Sequence, residues 1–205
     1  MSGSVTVGRQ TIATAIDKRS VVGPVAVTPS GLVDDTQVDT RHHGGADQAL
    51  YVYGQADADH WIAALARPLP PGSFGENLRL EGIDASGAVV GERWALGDEV
   101  EVTVTAPRIP CRVFAGFLEV DDLVGRFLSA GRPGAYLRVD RAGTVQAGDR
   151  VRVLHRPQAS LSVAEVLRIQ TAERHRAAEL LELEHLAVRV RDWAGEHLAA
   201  TAGRR

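Results

Sequence analysis

Two stretches of this chain follow one plan. Gly91 to Asp98 and Gly143 to Asp149 both close on Gly-Asp, and both lead into β-rich runs, Glu99 to Ala106 and Arg150 to His155. Each is a turn that feeds a strand, and strands this short bury a face only by pairing with several others. Thr6 to Ala15 and Pro24 to Thr28 are further extended runs, with turns at Gly23-Pro24 and Pro29-Ser30-Gly31. Gln48 to Tyr53 is a short buried strand, and a helix from Ala56 to Ala66 follows it, stopped by Pro68, Pro70 and Pro71. The expected fold is α+β: a predominantly antiparallel, closed β-barrel with helices around its outside.

Beyond Pro157 the period changes. Ser160 to Ala200 is nearly free of glycine, and apolar residues recur at helical spacing: Val163, Val166, Leu167; Leu180, Leu181, Leu183; Leu186, Val190, Trp193, Leu198. Three short helices are expected, giving a barrel domain over residues 1–157 and a C-terminal trihelical module over 158–205. Such a module invites comparison with a helix-turn-helix DNA reader. Charge argues against it, because Leu161 to Arg205 holds seven arginines and seven acidic residues, and phosphate contacts dominate nucleic-acid affinity. Packing or partner docking is the preferred role.

Other classes are excluded in the same way. No run approaches the roughly 18 apolar residues of a membrane span, and no secretory signal pattern opens the chain. A single cysteine cannot form an internal disulfide. The expectation is a reduced, cytoplasmic protein that meets neither membrane nor nucleic acid.

Among 23 basic residues only Lys18 is a lysine, and Asn77 is the only asparagine. Where coding bias replaces Lys by Arg, a surviving Lys or Asn can mark a place that needs a compact ammonium, or an amide that both donates and accepts. Chance survival on the surface is the alternative. With the lone Cys111 they form a set of three rare residues.

Three segments could carry chemistry. In Arg41-His42-His43-Gly44-Gly45-Ala46-Asp47, the glycine pair allows backbone N–H groups to converge on an anion, with Arg41 and the histidines adding charge; a plain turn between strands reads the same way. Adjacent His42 and His43 point to opposite faces and chelate one metal poorly. In Pro107-Arg108-Ile109-Pro110-Cys111-Arg112, the strand ends at Pro107 and Pro110 suits the first turn of a helix. Cys111 then sits near a helix N-terminus between two arginines, a setting that favours the thiolate. A lone cysteine is otherwise often an inert buried apolar residue. In Gly72-Ser73-Phe74-Gly75-Glu76-Asn77, the glycines permit close backbone approach, and Glu76 and Asn77 offer a carboxylate and an amide, although a loop needs no more than this.

Taken in order, Lys18 with Gly23-Pro24, Gly31-Leu32-Val33-Asp34-Asp35-Thr36-Gln37-Val38-Asp39, His43-Gly44-Gly45-Ala46-Asp47-Gln48-Ala49-Leu50, Phe74-Gly75-Glu76-Asn77-Leu78, Gly91-Glu92-Arg93-Trp94 and Pro107 to Cys111 resemble the MOSC domain family, and within it the stand-alone bacterial YiiM-type proteins. The resemblance covers most of residues 12 to 155. It departs at Asp34, where the family usually has glycine; aspartate tolerates the left-handed backbone that such a turn requires.

The resemblance implies a molybdenum cofactor, with Cys111 as a thiolate ligand to the metal. It assigns Lys18, Arg41 and the backbone around His43, Gly44 and Gly45 to the pterin phosphate, and Glu76, Asn77 and Arg108 to the lining of the cofactor or substrate pocket, with Arg108 and Glu76 as catalytic candidates beside Cys111. The implied reaction is reduction of N-hydroxylated compounds, such as hydroxylamino nucleobases, to amines. Lacking cysteines for an iron–sulfur cluster and a dinucleotide motif, the chain would need a separate electron-donor reductase protein; a homodimer is left open. Two other roles remain: a sulfur carrier holding a persulfide on Cys111, and a non-catalytic cofactor-binding module. Pyridoxal phosphate on Lys18 is disfavoured, because in sulfurases that cofactor belongs to a separate domain.

Overall fold

The structure, a computed structural model, describes residues 3–7, 10–35 and 45–203. The extended run near the N-terminus is a hairpin, β1 (Gly3–Val7) against β2 (Gln10–Thr14). β3 (Val25–Thr28) and β4 (Gly31–Leu32) follow, and Asp34 adopts a positive φ of 68° in the turn after them. Aspartate therefore does sustain the left-handed conformation there. β5 (Leu50–Gly54) runs directly into α1 (Gln55–Leu65), after which come β6 (Leu78–Leu80), β7 (Arg93–Leu96) and β8 (Val100–Pro107). Two short helices, α2 (Arg112–Phe117) and α3 (Leu123–Ala130), lead to β9 (Ala135–Arg141), β10 (Gly143–Val145) and β11 (Val151–His155). The chain ends in α4 (Val163–Thr171), α5 (Ala177–Leu181) and α6 (Val188–Ala202).

The expected closed barrel is not what forms. Six strands make one open sheet in the order β11-β7-β8-β9-β5-β6, and β3, β4 and β10 make a separate three-stranded sheet. Two bulges in β8 curl the larger sheet into a half-barrel, but its edge strands β11 and β6 do not pair. One pair, β5 with β6, is parallel. Both stretches expected as turns also depart from expectation, and in the first Arg93–Leu96 is strand β7, paired with β8 and β11. Rather than serving as a turn, Gly143–Val145 pairs with Val25–Val27.

The core joins the sheet to the helices in one apolar cluster. Trp61 from α1, Phe114 from α2 and Phe127 from α3 meet Tyr53 of β5 and Phe74 of the following loop in a chain of ring contacts with centroids 4.2–6.3 Å apart. Residues of the last three helices, including Val166, Ile169, Leu180 and Val190, belong to the same continuous apolar cluster. Backbone bonds add to this: Val163 N donates to Ala88 O (2.9 Å) and Ala187 N to Thr105 O (3.1 Å). The helices are thus sewn to the sheet.

Candidate functional site

Several chain segments converge where β8 ends. The chain leaves β8 at Pro107, crosses through Arg108, Ile109 and Pro110, and enters α2 with Cys111 as its N-cap in extended conformation (φ −126°). Pro110 therefore precedes the helix rather than occupying its first turn. Cys111 is half-buried and faces a cavity of about 580 Å³, a size suited to a small-molecule ligand.

Of its two neighbouring arginines, only Arg108 reaches this cavity; Arg112 is exposed. Arg108 is buried, donates to Phe74 O at 2.8 Å, and lies over the rings of Phe114 (4.2 Å to the centroid) and Tyr51 (5.3 Å). A guanidinium keeps its charge even when buried. Burial raises the phenols of Tyr51 and Tyr136 above their ordinary value, so both line the cavity as neutral groups.

The second segment is the 72–77 loop, whose glycines permit close approach to the chain around Lys18. A Cβ on Gly72 would come within 2.0 Å of Lys18 O, and one on Gly75 within 3.0 Å of Ile16 Cγ1. This contact sets Lys18 on the cavity wall, where its ammonium pairs with Asp35. Asn77 completes the chain. Its Nδ2 donates to Asp35 Oδ2 and its Oδ1 accepts from Tyr51 N, both at 2.8 Å. An aspartate could not make both bonds, since it lacks the donor.

The structure thus brings the three rare residues, Lys18, Asn77 and Cys111, to one cavity. Glu76 is not part of it. Its carboxylate is buried and accepts from Gly72 N and Phe74 N at 2.9 Å each and from Arg79, which folds the loop and leaves nothing for a ligand. Glu92 of the Gly-Glu-Arg-Trp motif is likewise internal, bonded to Val89 N, Trp94 Nε1 and Arg156. Arg41, His43 and Gly44 lie outside the described residues. Gly45, with φ 89°, precedes a 3-10 turn at Ala46–Gln48 and accepts from Gln48 N at 2.9 Å. A side chain would be strained at that φ.

A further part of the wall, from two helices, was not foreseen from sequence. Gln170 of α4 and Arg189 and Trp193 of α6 form part of the cavity wall. A signal existed: Gln170 falls seven residues after Val163, in line with the apolar stripe of Val163, Val166 and Leu167, so a polar group was due to face inward. Arg189 and Trp193, four residues apart, share one helix face.

Among the described residues, the charged groups of the wall are the cations Lys18, Arg108 and Arg189 and the carboxylate of Asp35. In a chain of net charge −3 the cavity is therefore locally positive and suited to an anion. Among the described residues no three His, Cys, Asp or Glu converge to hold an ion. Molybdenum cofactor would bring ligands of its own to a metal at Cys111. The cavity fits such a group: a soft sulfur donor on one wall, with cations and polar groups around it.

A model of the MOSC domain matches residues 39–152. An uncharacterized protein of Bacillus subtilis (strain 168), YflK, is 33% identical over 175 residues, covering 85% of this chain and 77% of that protein. A protein of Gibberella moniliformis named Reductase is 30% identical over 163 residues, which are 77% of this chain and 28% of that one. Among solved structures, YiiM from Geobacillus stearothermophilus superposes with a TM-score of 0.79 at 27% identity, over 96% of this chain and 95% of that chain. No helix among the described residues is long and apolar enough to cross a membrane.

Proposed function

Because this chain belongs to the MOSC domain family and is YiiM-like, we propose that it is an oxidoreductase that binds molybdenum cofactor in the cavity at Cys111 and reduces N-hydroxylated compounds, such as hydroxylamino nucleobases, to amines. The observation that carries this reading is the joint presence of Cys111, Lys18, Asn77 and Arg108 on one locally positive cavity. The relative named Reductase supports the reaction class. When bound, the cofactor supplies the two-electron reduction by which the N–OH oxygen is removed and leaves as water.

The residues have separable tasks. Cys111 would hold the metal through its sulfur. Lys18, with the backbone at Gly45 and the neighbouring Arg41, His43 and Gly44, would receive the pterin phosphate. Asp35 holds the Lys18 ammonium in place until an anion competes for it, and Asn77 fixes Asp35. Arg108, immobilised on Phe74 O and the two rings, places a permanent positive charge beside Cys111 without titrating. Gln170 of α4 and Arg189 and Trp193 of α6 complete part of the cavity wall. With one cysteine in the whole chain, no iron–sulfur relay can be built, so electrons would come from a separate protein.

Protein co-produced with molybdenum cofactor should carry about one equivalent of molybdenum, and Cys111→Ala should lose it, as measured by elemental analysis. Turnover of an N-hydroxylated base should need an added reductase protein, with a nicotinamide nucleotide alone giving none. Absence of molybdenum together with a cyanide-releasable sulfur on Cys111 would replace this reading with that of a sulfur carrier.

A further inference from the structure

The side chain of Gln170 is buried to all but 7% of its residue surface, and its Oε1 finds no hydrogen-bond partner among the described residues. Buried amide oxygens are nearly always bonded, so this one is held ready for something. Its position is not an accident of a loose helix. α4 begins with a capping box in which Ser162 and Glu165 bond reciprocally, and Val163, Val166, Leu167 and Ile169 are all buried. Those contacts fix the helix in rotation, and in that rotation Gln170 faces the cavity that also receives Cys111. Trp193 of α6 contributes a large flat apolar side chain to the same wall, and Arg189 a cation. The MOSC domain match ends at residue 152, so all three belong to chain beyond it.

We infer that these helices form the wall that reads the substrate, with Gln170 as the specificity-determining residue for an aminoheterocycle edge, in which an amino N–H sits beside a ring nitrogen. This deepens the functional reading above and rests on the cavity being the substrate site. A primary amide carries a donor and an acceptor side by side, so it matches that edge with two parallel bonds. If the amide is turned over, donor and acceptor change places, and a ligand turned over in the cavity makes the same two bonds. Trp193 supplies the surface on which a flat ring can lie. A wall that hydrogen-bonds a ligand N–H rejects an analogue lacking it, because the buried amide is then left without a partner.

The test compares 9-methyladenine with 9-methylpurine, which differ only by the amino group, in equilibrium titrations of the protein co-produced with molybdenum cofactor. Calorimetry or tryptophan fluorescence reports binding; Trp61 and Trp94 are fully buried, so Trp193 is the responsive indole. The unaltered protein should prefer 9-methyladenine by about tenfold or more, and Gln170→Met, close in shape, should bring the two within about twofold. The same variant should keep or raise Tm, because it removes a buried oxygen that has no partner; a merely structural glutamine would lower Tm and leave the affinity ratio alone. No saturable binding of 9-methyladenine, no preference over 9-methylpurine, or an unchanged ratio in Gln170→Met overturns the inference. Molybdenum content measured on the same preparations decides the cofactor reading independently of these affinities.

Discussion

At Gly72 two demands meet on one residue. Its φ is 96°, a region that L side chains rarely enter, and its Cα lies so close to the Lys18 backbone that a Cβ would strike the carbonyl at 2.0 Å. Gly82 provides the comparison, with φ 73° and nothing within 4 Å. Gly82→Ala should therefore cost about 1 kcal/mol, the conformational part alone. Gly72→Ala carries that strain and must also push Lys18 away, so it should cost about 3 kcal/mol or more. Urea denaturation of both variants measures the difference, and equal costs would mean that the approach to Lys18 is not tight. Cys111, Lys18 and Asn77 were conspicuous in the sequence by rarity alone, and each reaches the cavity. Glu76 was conspicuous by its neighbours and does not. What separates Asn77 from Glu76 is which way one loop turns, and that depends on Arg79 and two backbone N–H groups, all two to four residues away.

At the scale of elements, α4 depends on its first turn. Glu165 accepts from Ser162 N at 2.9 Å while Glu165 N donates to Ser162 Oγ at 3.2 Å. The bond from the Ser162 backbone holds the Glu165 carboxyl below the usual glutamate range, against the opposing effect of partial burial. A carboxyl with a depressed folded-state pKa stabilises above its unfolded pKa, and that contribution disappears as pH falls through the folded value. Glu165→Ala should thus cost about 1 kcal/mol at pH 7, and the gap to the unaltered protein should narrow steadily below about pH 4. Thermal melts across that range check it; a gap that widens on acidification contradicts the assignment. The helix itself was legible from the spacing of Val163, Val166 and Leu167, as was α1 from its proline stop. Strand partners were less so. Gly143–Val145 pairs with a strand far earlier in the chain, and nothing local distinguishes such a strand from the turn it was taken to be. Closure of the sheet was illegible for a similar reason, since whether β11 meets β6 depends on curvature accumulated over every strand between them.

At the scale of the molecule, the division expected after Pro157 marks a change of period without a break in packing. The helical part shares its apolar cluster with the sheet. Asp47, just after Gly45, ties the two together again: its carboxylate accepts from Val188 N at 3.0 Å and pairs with Arg138, which in turn approaches His185 Nδ1 at 3.5 Å. Regions joined by a continuous core and several backbone bonds unfold together, because neither keeps its buried surface when the other leaves. The tryptophans make this measurable. Trp61 lies on α1 and Trp94 on β7, while Trp193 lies on α6. In Trp193→Phe, fluorescence reports only the sheet and the helix α1 beside it, while far-ultraviolet circular dichroism weights the helices. Urea transitions from the two probes should coincide in midpoint and slope. An earlier loss of dichroism, with sheet fluorescence unchanged, would mean that the helices leave first and that the cavity wall bearing Gln170 is detachable.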